Sequence, residues 1–163
     1  MLRKLLYAVS GIGLIVAVGF ATMLFAAWSG GNSFDAEAGP YVEESVKFIG
    51  SRWEADQLMT RLAPDAREKL TRKEIENLFR TVEAGIGPIL STEPPQLGHW
   101  TSTATFSGTR IVAQYVVPAR FERGSGKLHV RAVRTGGQWA VCGFFVDSNE
   151  LLERLRKNSH PTK

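Results

Sequence analysis

Residues 110–147, RIVAQYVVPARFERGSGKLHVRAVRTGGQWAVCGFFVD, contain the pattern that decides the fold. Apolar residues take alternate positions from Ile111 to Phe121 and from Leu128 to Ala132, as in β-strands with one buried face. Gly124-Ser125-Gly126 and Gly136-Gly137 interrupt these runs and predict hairpin turns. The stretch therefore predicts consecutive antiparallel strands.

Working outward, Gln138 to Asp147 continues this meander as the last strand. His99 to Ser107 precedes it as another strand, with Trp100 and two further apolar residues on one face and threonines on the other. Pro118 lies inside the Arg110–Phe121 run and predicts a bulge or a sheet edge there. The pattern gives about four strands, with residues 91–95 as a loop before them.

Helical spacing dominates the part of the chain before the strands. Pro40 is predicted to open the first helix and Gly50 to end it. Capping boxes at Ser51–Glu54 and Thr71–Glu74 predict two further helix starts, and Asp147–Glu150 resembles a third. Helices followed by a run of strands indicate an α+β domain with the helices on one face of the sheet. The apolar positions of the first helical stretch are Val42, Val46, Ile49 and Trp53.

The segment from Leu5 to Trp28 has no charged side chain over 24 residues. As a helix it would reach about 36 Å, which is enough to cross a hydrocarbon core of about 30 Å. Arg3 and Lys4 precede it, and the charges that follow are first acidic. This asymmetry predicts a single-pass anchor with the N-terminus inside and the remaining chain outside the cytoplasm. Arginine outnumbers lysine, and alanine and glycine are frequent, which is typical of a bacterial chain. The expected location is therefore a bacterial inner membrane with a periplasmic domain.

Two alternatives concern this segment. A cleaved signal peptide would have the same charged start, although its apolar region normally spans about 7–15 residues. The second alternative gives the membrane helix itself a recognition role, because Gly13, Ala17 and Ala21 lie on one helix face and would let another helix approach closely. The expected organisation is therefore a stub and membrane helix (1–28), a linker (29–39), a domain (40–158) and a tail (159–163).

Charge and cysteine content exclude several classes of protein. All 16 acidic residues and 18 of the 20 basic ones lie beyond residue 28, so the exported part has a net charge of about +2. This mixed surface predicts no nucleic-acid partner. Cys142 is the one cysteine of the chain, which excludes an internal disulfide. Its apolar surroundings in the sequence favour a buried, unreactive thiol over a reactive one.

The order of elements resembles the NTF2-like fold, also described as cystatin-like. The stretches that carry the resemblance are AQY at 113–115, FERG at 121–124, LHVR at 128–131 and GQWAV at 137–141. The resemblance covers roughly residues 40–150 and concerns packing positions. It implies helices packed into the concave face of a curved sheet, and it implies enzymes as well as binding modules among the relatives.

Enzymes of that superfamily need an acid or base inside the cone formed by the sheet and helices. The apolar strand faces here carry no carboxylate, so no catalytic residue and no cofactor is predicted. Trp100, Tyr115 and Phe121 are the candidates for a ligand-binding lining of the cone. Tyr115 supplies its one hydroxyl donor, with an ordinary core tyrosine as the alternative. His99, His129 and His160 lack metal-ligand spacing, so no metal site is predicted.

The leading hypothesis is a membrane-anchored, non-enzymatic interaction or assembly module outside the cytoplasm, with a protein partner in the envelope or a second copy of itself. The alternative is a small-molecule-binding protein or an enzyme using the cone around Tyr115. The expected open face of the sheet carries threonines together with Gln114, His129 and Arg131, and this pattern suits either a wet surface or a polar interface.

Overall fold

The computed structural model describes residues 34–105 and 108–159. The anchor predicted at Leu5–Trp28 and residues 29–33 of the linker after it lie outside those residues, as does the tail beyond Ser159. In the two described ranges no helix combines the length and the apolar character needed to cross a bilayer. Residues from Ala38 onward form one compact unit, to which the contacts below belong.

Within the described ranges, four helices precede five strands and a fifth helix follows them, which confirms the predicted α+β class. The five strands pair in antiparallel fashion in one sheet. The elements are α1 (34–50), α2 (Ala55–Arg61), α3 (Pro64–Arg67), α4 (Arg72–Ile86), β1 (Ile89–Thr92), β2 (Gln96–Thr105), β3 (Gly108–Phe121), β4 (Gly124–Thr135), β5 (Gln138–Asp147) and α5 (Asn149–Ser159).

The sheet has the order β1-β3-β4-β5, and β2 also pairs with β3. β1 and β2 lie end to end along one edge of β3, because Thr92 is opposite Ala119 and Gln96 is opposite Val116. The prediction of about four strands was therefore one strand short, since the predicted loop begins inside β1. Glu93-Pro94-Pro95 separates the two strands, and its prolines lack the N–H that would continue the ladder.

Pro118 is tolerated inside β3 because its nitrogen, which has no N–H to donate, lies where no ladder hydrogen bond is needed. It pairs with Lys127 of β4 without a shift in register, so the predicted bulge is absent at this point of the β3–β4 ladder. Its carbonyl accepts a hydrogen bond from the Glu93 N–H at 2.9 Å. The imino nitrogen of Pro118 therefore faces the break between β1 and β2, where no ladder bond is lost.

The two hairpin turns give one confirmation and one correction. Gly136 and Gly137 have φ of 60° and 85° and form the β4–β5 turn, as predicted. The β3–β4 turn is instead Glu122-Arg123, because Gly124 already pairs with Phe121. The Glu122 and Arg123 N–H groups donate to the carbonyls of Pro88 and Ile86, so contacts distant in sequence fix this turn.

Two predicted helix starts were wrong. Residues 34–39 are already helical, so Pro40 lies inside α1 and does not open it. Ser51 does not cap α2, because its Oγ donates backward to the Phe48 carbonyl at 2.9 Å and Glu54 occupies the N-cap position. Gly50 does end α1 as predicted. The predicted box at Thr71 is confirmed, since its hydroxyl and the Glu74 carboxylate bond each other's backbone N–H groups.

The core lies between α1, α4 and one face of the sheet. Val42, Val46 and Ile49 of α1 are fully buried, as the helical spacing predicted. Trp53 follows the helix rather than continuing it, in a left-handed conformation at φ 53°. It is 4% exposed, and its Nε1 donates to the Gly87 carbonyl at 2.9 Å. Its ring contacts Phe79 at 5.3 Å, Phe121 at 6.4 Å and Phe144 at 6.3 Å between ring centroids.

Candidate functional site

The three residues predicted to line a cone lie on the buried face of the sheet but do not converge. Trp100 is half-buried and pairs with Ala113, two residues from Tyr115 on β3. Tyr115 is fully buried. Phe121 lies six residues further along β3, roughly 20 Å away, and stacks on Trp53. Trp100 and Tyr115 are therefore neighbours on this face, whereas Phe121 belongs to the aromatic cluster at its other end.

The buried face offers little acid–base chemistry. Among the described residues, the buried polar ones are Ser45 and Ser148. The Ser148 hydroxyl donates to Glu150 Oε2 at 2.8 Å, which helps hold the first turn of α5. No group of three or more histidine, cysteine, aspartate or glutamate side chains is arranged to hold a metal ion in the described ranges. The proposed packing face of the membrane helix at Gly13, Ala17 and Ala21 lies outside them.

The opposite side of the sheet, here called the outer face, carries the side chains of Gln114, Val116, His129, Arg131 and Phe145. Strand register brings them together: Gln114 is opposite Arg131, Val116 is opposite His129, and His129 is opposite Phe145. Phe145 is 63% exposed although it lies in a strand. The polar residues were expected on this face from the sequence, whereas Phe145 was not singled out.

On the outer face, His129 lies near the carboxylate of Asp147 and the aromatic ring of Phe145. Its Nε2 lies 3.9 Å from Asp147 Oδ2, and its ring centroid lies 6.0 Å from that of Phe145. The imidazole and carboxylate could form an ion pair when the histidine is protonated. Exposed aromatic side chains such as Phe145 are enriched at protein interfaces.

A cavity of about 720 Å³ lies where β3 begins, β4 ends and β5 begins, with α3 along its wall. We call it the arginine cavity, because Arg61, Arg67 and Arg110 line it while Asp65 is its one acidic lining residue. Asp65 Oδ2 lies 2.8 Å from Arg110 Nη2. That hydrogen bond and ion pair lower the pKa of Asp65 and raise that of Arg110.

The three arginines of this cavity have different partners. Arg61 forms an ion pair with Glu44 at 2.5 Å and lies over the rings of Tyr41 and Phe48, at 5.6 and 5.4 Å from their centroids. Arg67 donates to the Leu62 carbonyl at 3.3 Å. In the described part of the chain, no carboxylate lies within ion-pair distance of Arg67. Arg67 is thus the cation of this cavity that is not neutralised by a neighbour.

Cys142 lies near this cavity, in a bulge of β5 where Arg131 pairs with Gly143 and Ala132 with Val141. Burial raises the pKa of the thiol, and the nearby positive charge of Arg131 only partly opposes that effect. A thiol with a raised pKa forms little thiolate, so Cys142 is poorly suited to nucleophilic chemistry.

A second groove, of about 880 Å³, lies at the other end of the sheet, between β1, the β3–β4 turn and the start of α5. Its charged lining is mainly acidic and includes Glu93, Glu122, Asp147 and Glu150 against Arg120 and Lys127. Hydrogen bonds to backbone N–H groups and to Ser148 lower the pKa of Glu150. This carboxylate is therefore occupied in joining α5 to the sheet.

Comparison with known proteins gives no family. No protein-family model and no curated protein matches the chain. Among solved structures, the chain is similar to one titled "Structure of Bdellovibrio bacteriovorus Bd1075", at 9% identity and a TM-score of 0.42. The match covers 73% of this chain and 42% of that chain, so this chain spans less than half of the structure it matches. The fold class accordingly rests on the elements described above.

Proposed function

We propose that residues 40–158 form a non-catalytic interaction module, which binds a protein partner through the outer face of its sheet. The observation that carries the proposal is Phe145, a large apolar side chain that is 63% exposed beside His129, which in turn is opposite Val116. Exposing an aromatic ring on the face of the edge strand β5 costs hydrophobic free energy, which association with a partner would recover.

The buried face supports a non-catalytic role. Its described residues pack against one another around Tyr115, Phe79 and Phe121, all less than 2% exposed. General acid–base catalysis requires a titratable group within reach of a substrate. Neither of the two cavities described above includes Trp100 or Tyr115 in its lining, so binding in a cone around Tyr115 is the less supported alternative.

The fold proposal is an NTF2-like domain. Supporting it are the helices packed on one face of a single antiparallel sheet and the long β3–β4 and β4–β5 hairpins. The GQWAV stretch at 137–141, which carried the sequence resemblance, begins in the β4–β5 turn and continues into β5.

The location proposal comes from the sequence alone. An uncleaved anchor at Leu5–Trp28 would hold the domain at the periplasmic side of a bacterial inner membrane. The partner would then be an envelope protein or a second copy of this chain. A module without evident catalytic groups depends on such placement to meet its partner.

Site-specific photo-crosslinking in native membranes tests the interface. A photoreactive phenylalanine analogue at position 145 would lie on the outer face, and one at position 78 would lie on α4. Leu78 is the matched control, since it is 53% exposed and apolar but belongs to another surface. We expect a discrete crosslinked band from position 145 and none from position 78, with Phe145→Asp preventing co-purification of the same partner.

The size of the crosslinked product separates the two kinds of partner. A product of twice the mass of the chain indicates a second copy, and another mass indicates a different envelope protein. Equal crosslinking from positions 145 and 78, or an unchanged partner yield with Phe145→Asp in folded protein, would contradict the proposed interface. A substrate turned over by the purified protein, with loss of turnover on Tyr115→Phe, would contradict the non-catalytic role.

A further inference from the structure

The arginine cavity has the size and composition of a small-molecule site, and the proposed interface does not use it. Its volume of about 720 Å³ lies within the range of about 300–1,000 Å³ that is usual for ligand pockets. It is built from residues of α1, α2, α3, β3, β4 and β5, so the packing of the whole domain fixes its shape.

The charges of the cavity favour an anionic ligand. Three guanidinium groups and one carboxylate line it, and Glu44 pairs with Arg61 from outside the lining, which leaves an excess of one positive charge. Arg110 holds Asp65 in an ion pair, and Arg61 is held by Glu44. Arg67 has donors left for a ligand, because its one described hydrogen bond goes to the Leu62 carbonyl at 3.3 Å. A guanidinium offers a planar pair of donors that matches a carboxylate or a phosphate.

The uncharged part of the cavity wall is partly apolar and partly polar. Its polar members include Thr60, Thr135 and Gln138. Val133 is 3% exposed, and Ala140 is paired with it on β5. The half-buried Trp139 precedes Ala140 on β5 and lines the cavity from the other side of that strand. A flat apolar body lying against Val133 and Ala140 would be shielded from water, while its charged group remained within reach of Arg67.

We propose that the arginine cavity binds a small organic anion, in which a carboxylate or phosphate group is attached to a flat apolar body. The anionic group is held by Arg67, with Arg110 as a second cation. The apolar body packs against Val133 and Ala140, which are paired between β4 and β5.

Isothermal titration calorimetry of the purified full chain tests this proposal with phenyl phosphate and benzoate as probes. Inorganic phosphate and phenol are the half-probes, one supplying the charge and the other the ring. We expect saturable binding of at least one complete probe, and binding at least about tenfold weaker for each half-probe. Arg67→Gln should weaken binding by about tenfold or more, because it removes a charge-assisted hydrogen bond.

Arg80→Gln is the matched control, since Arg80 lies on α4 outside the cavity and bonds Asn77. It should leave binding unchanged. Ala140→Phe provides a second variant, which fills the cavity and leaves its charge intact, and it should also abolish binding. Circular dichroism establishes that each variant is folded.

Four results would overturn the proposal. They are no heat of binding from either complete probe at about 10 mM, equal affinity for inorganic phosphate, equal affinity for phenol, and full binding by folded Arg67→Gln. Tighter binding of dihexanoyl phosphatidic acid than of both complete probes would contradict the claim that the ligand has a flat apolar body. It would indicate a lipid headgroup as the source of the anion. None of these results bears on crosslinking from position 145, so the two proposals fail independently.

Discussion

Replacing Trp53 by phenylalanine tests the reasoning about the core most directly. The indole is 4% exposed, and its Nε1 donates a buried hydrogen bond of 2.9 Å to the Gly87 carbonyl. Phenylalanine keeps an aromatic ring among Phe79, Phe121 and Phe144 but removes the donor. The variant therefore separates the hydrogen bond from most of the aromatic packing.

The expected cost has two parts. Leaving the Gly87 carbonyl without this donor costs about 1–3 kcal/mol. The smaller ring leaves a void of roughly 40 Å³, which at about 24 cal/mol per Å³ adds about 1 kcal/mol. We expect Trp53→Phe to lower the free energy of unfolding by about 2–4 kcal/mol, and Trp53→Ala to lower it further because it also removes the ring contacts.

Thermal unfolding of the purified full chain, followed by near-ultraviolet circular dichroism, measures this cost. At about 4 °C per kcal/mol for a domain of this size, Trp53→Phe should lower Tm by about 8–16 °C. Leu78→Ala is the control, because Leu78 is 53% exposed and its truncation should change stability by less than about 0.5 kcal/mol. A loss with Trp53→Phe no larger than the loss with Leu78→Ala would refute this account of the core.

Three further predictions concern single groups. Thr71→Ala should cost about 1 kcal/mol of stability in thermal unfolding by removing the capping box of α4, whereas Thr81→Ala, inside that helix, should cost less. Asp65→Asn should lower stability by about 0.5 kcal/mol at pH 7, the size of an exposed ion pair. Because the pKa of Asp65 is lowered in the folded protein, this difference should be complete above about pH 4 and vanish as the pH falls through the lowered pKa. Unfolding titrations at pH 7 and pH 3 measure it, and an equal difference at both would contradict the Asp65–Arg110 pair. Cys142 should react with Ellman's reagent at pH 7 more slowly in the folded protein than in denaturant, since burial raises its pKa.

Local patterns explain which parts of the fold could be predicted from the sequence. The Gly136-Gly137 turn needs two residues with positive φ, and two consecutive glycines between two strand patterns indicate such a turn in the sequence itself. The Thr71–Glu74 box is equally local, since both partners lie three residues apart. Alternation along β3 predicted that Tyr115 is buried, because every second residue of a half-buried strand faces the core.

Contacts between distant segments explain what the sequence could not predict. The Glu122-Arg123 turn is fixed by the carbonyls of Pro88 and Ile86, and nothing within the turn itself indicates them. β1 has four residues, which is too short for a period of two to be recognised.

The arginine cavity was missed for the same reason. Asp65 and Arg110 are 45 positions apart, and no spacing rule connects an acidic residue in a one-turn helix with the start of a strand. A surplus of arginines near Asp65 was the one available signal, and an unpaired arginine on a surface is too common to predict a site.

The two edges of the sheet have a consequence for how this protein could self-associate. At one side, the Ala63 N–H donates to the Val141 carbonyl at 2.8 Å, so the α2–α3 connection occupies part of the free edge of β5. At the other side, Pro94 and Pro95 interrupt the edge formed by β1 and β2. Both interruptions shorten the stretch of free edge to which another chain could add a strand, the route by which sheets grow into fibrils. Copies of this domain would then meet more readily through their faces, in assemblies that can dissociate, than through a continuous β-ladder.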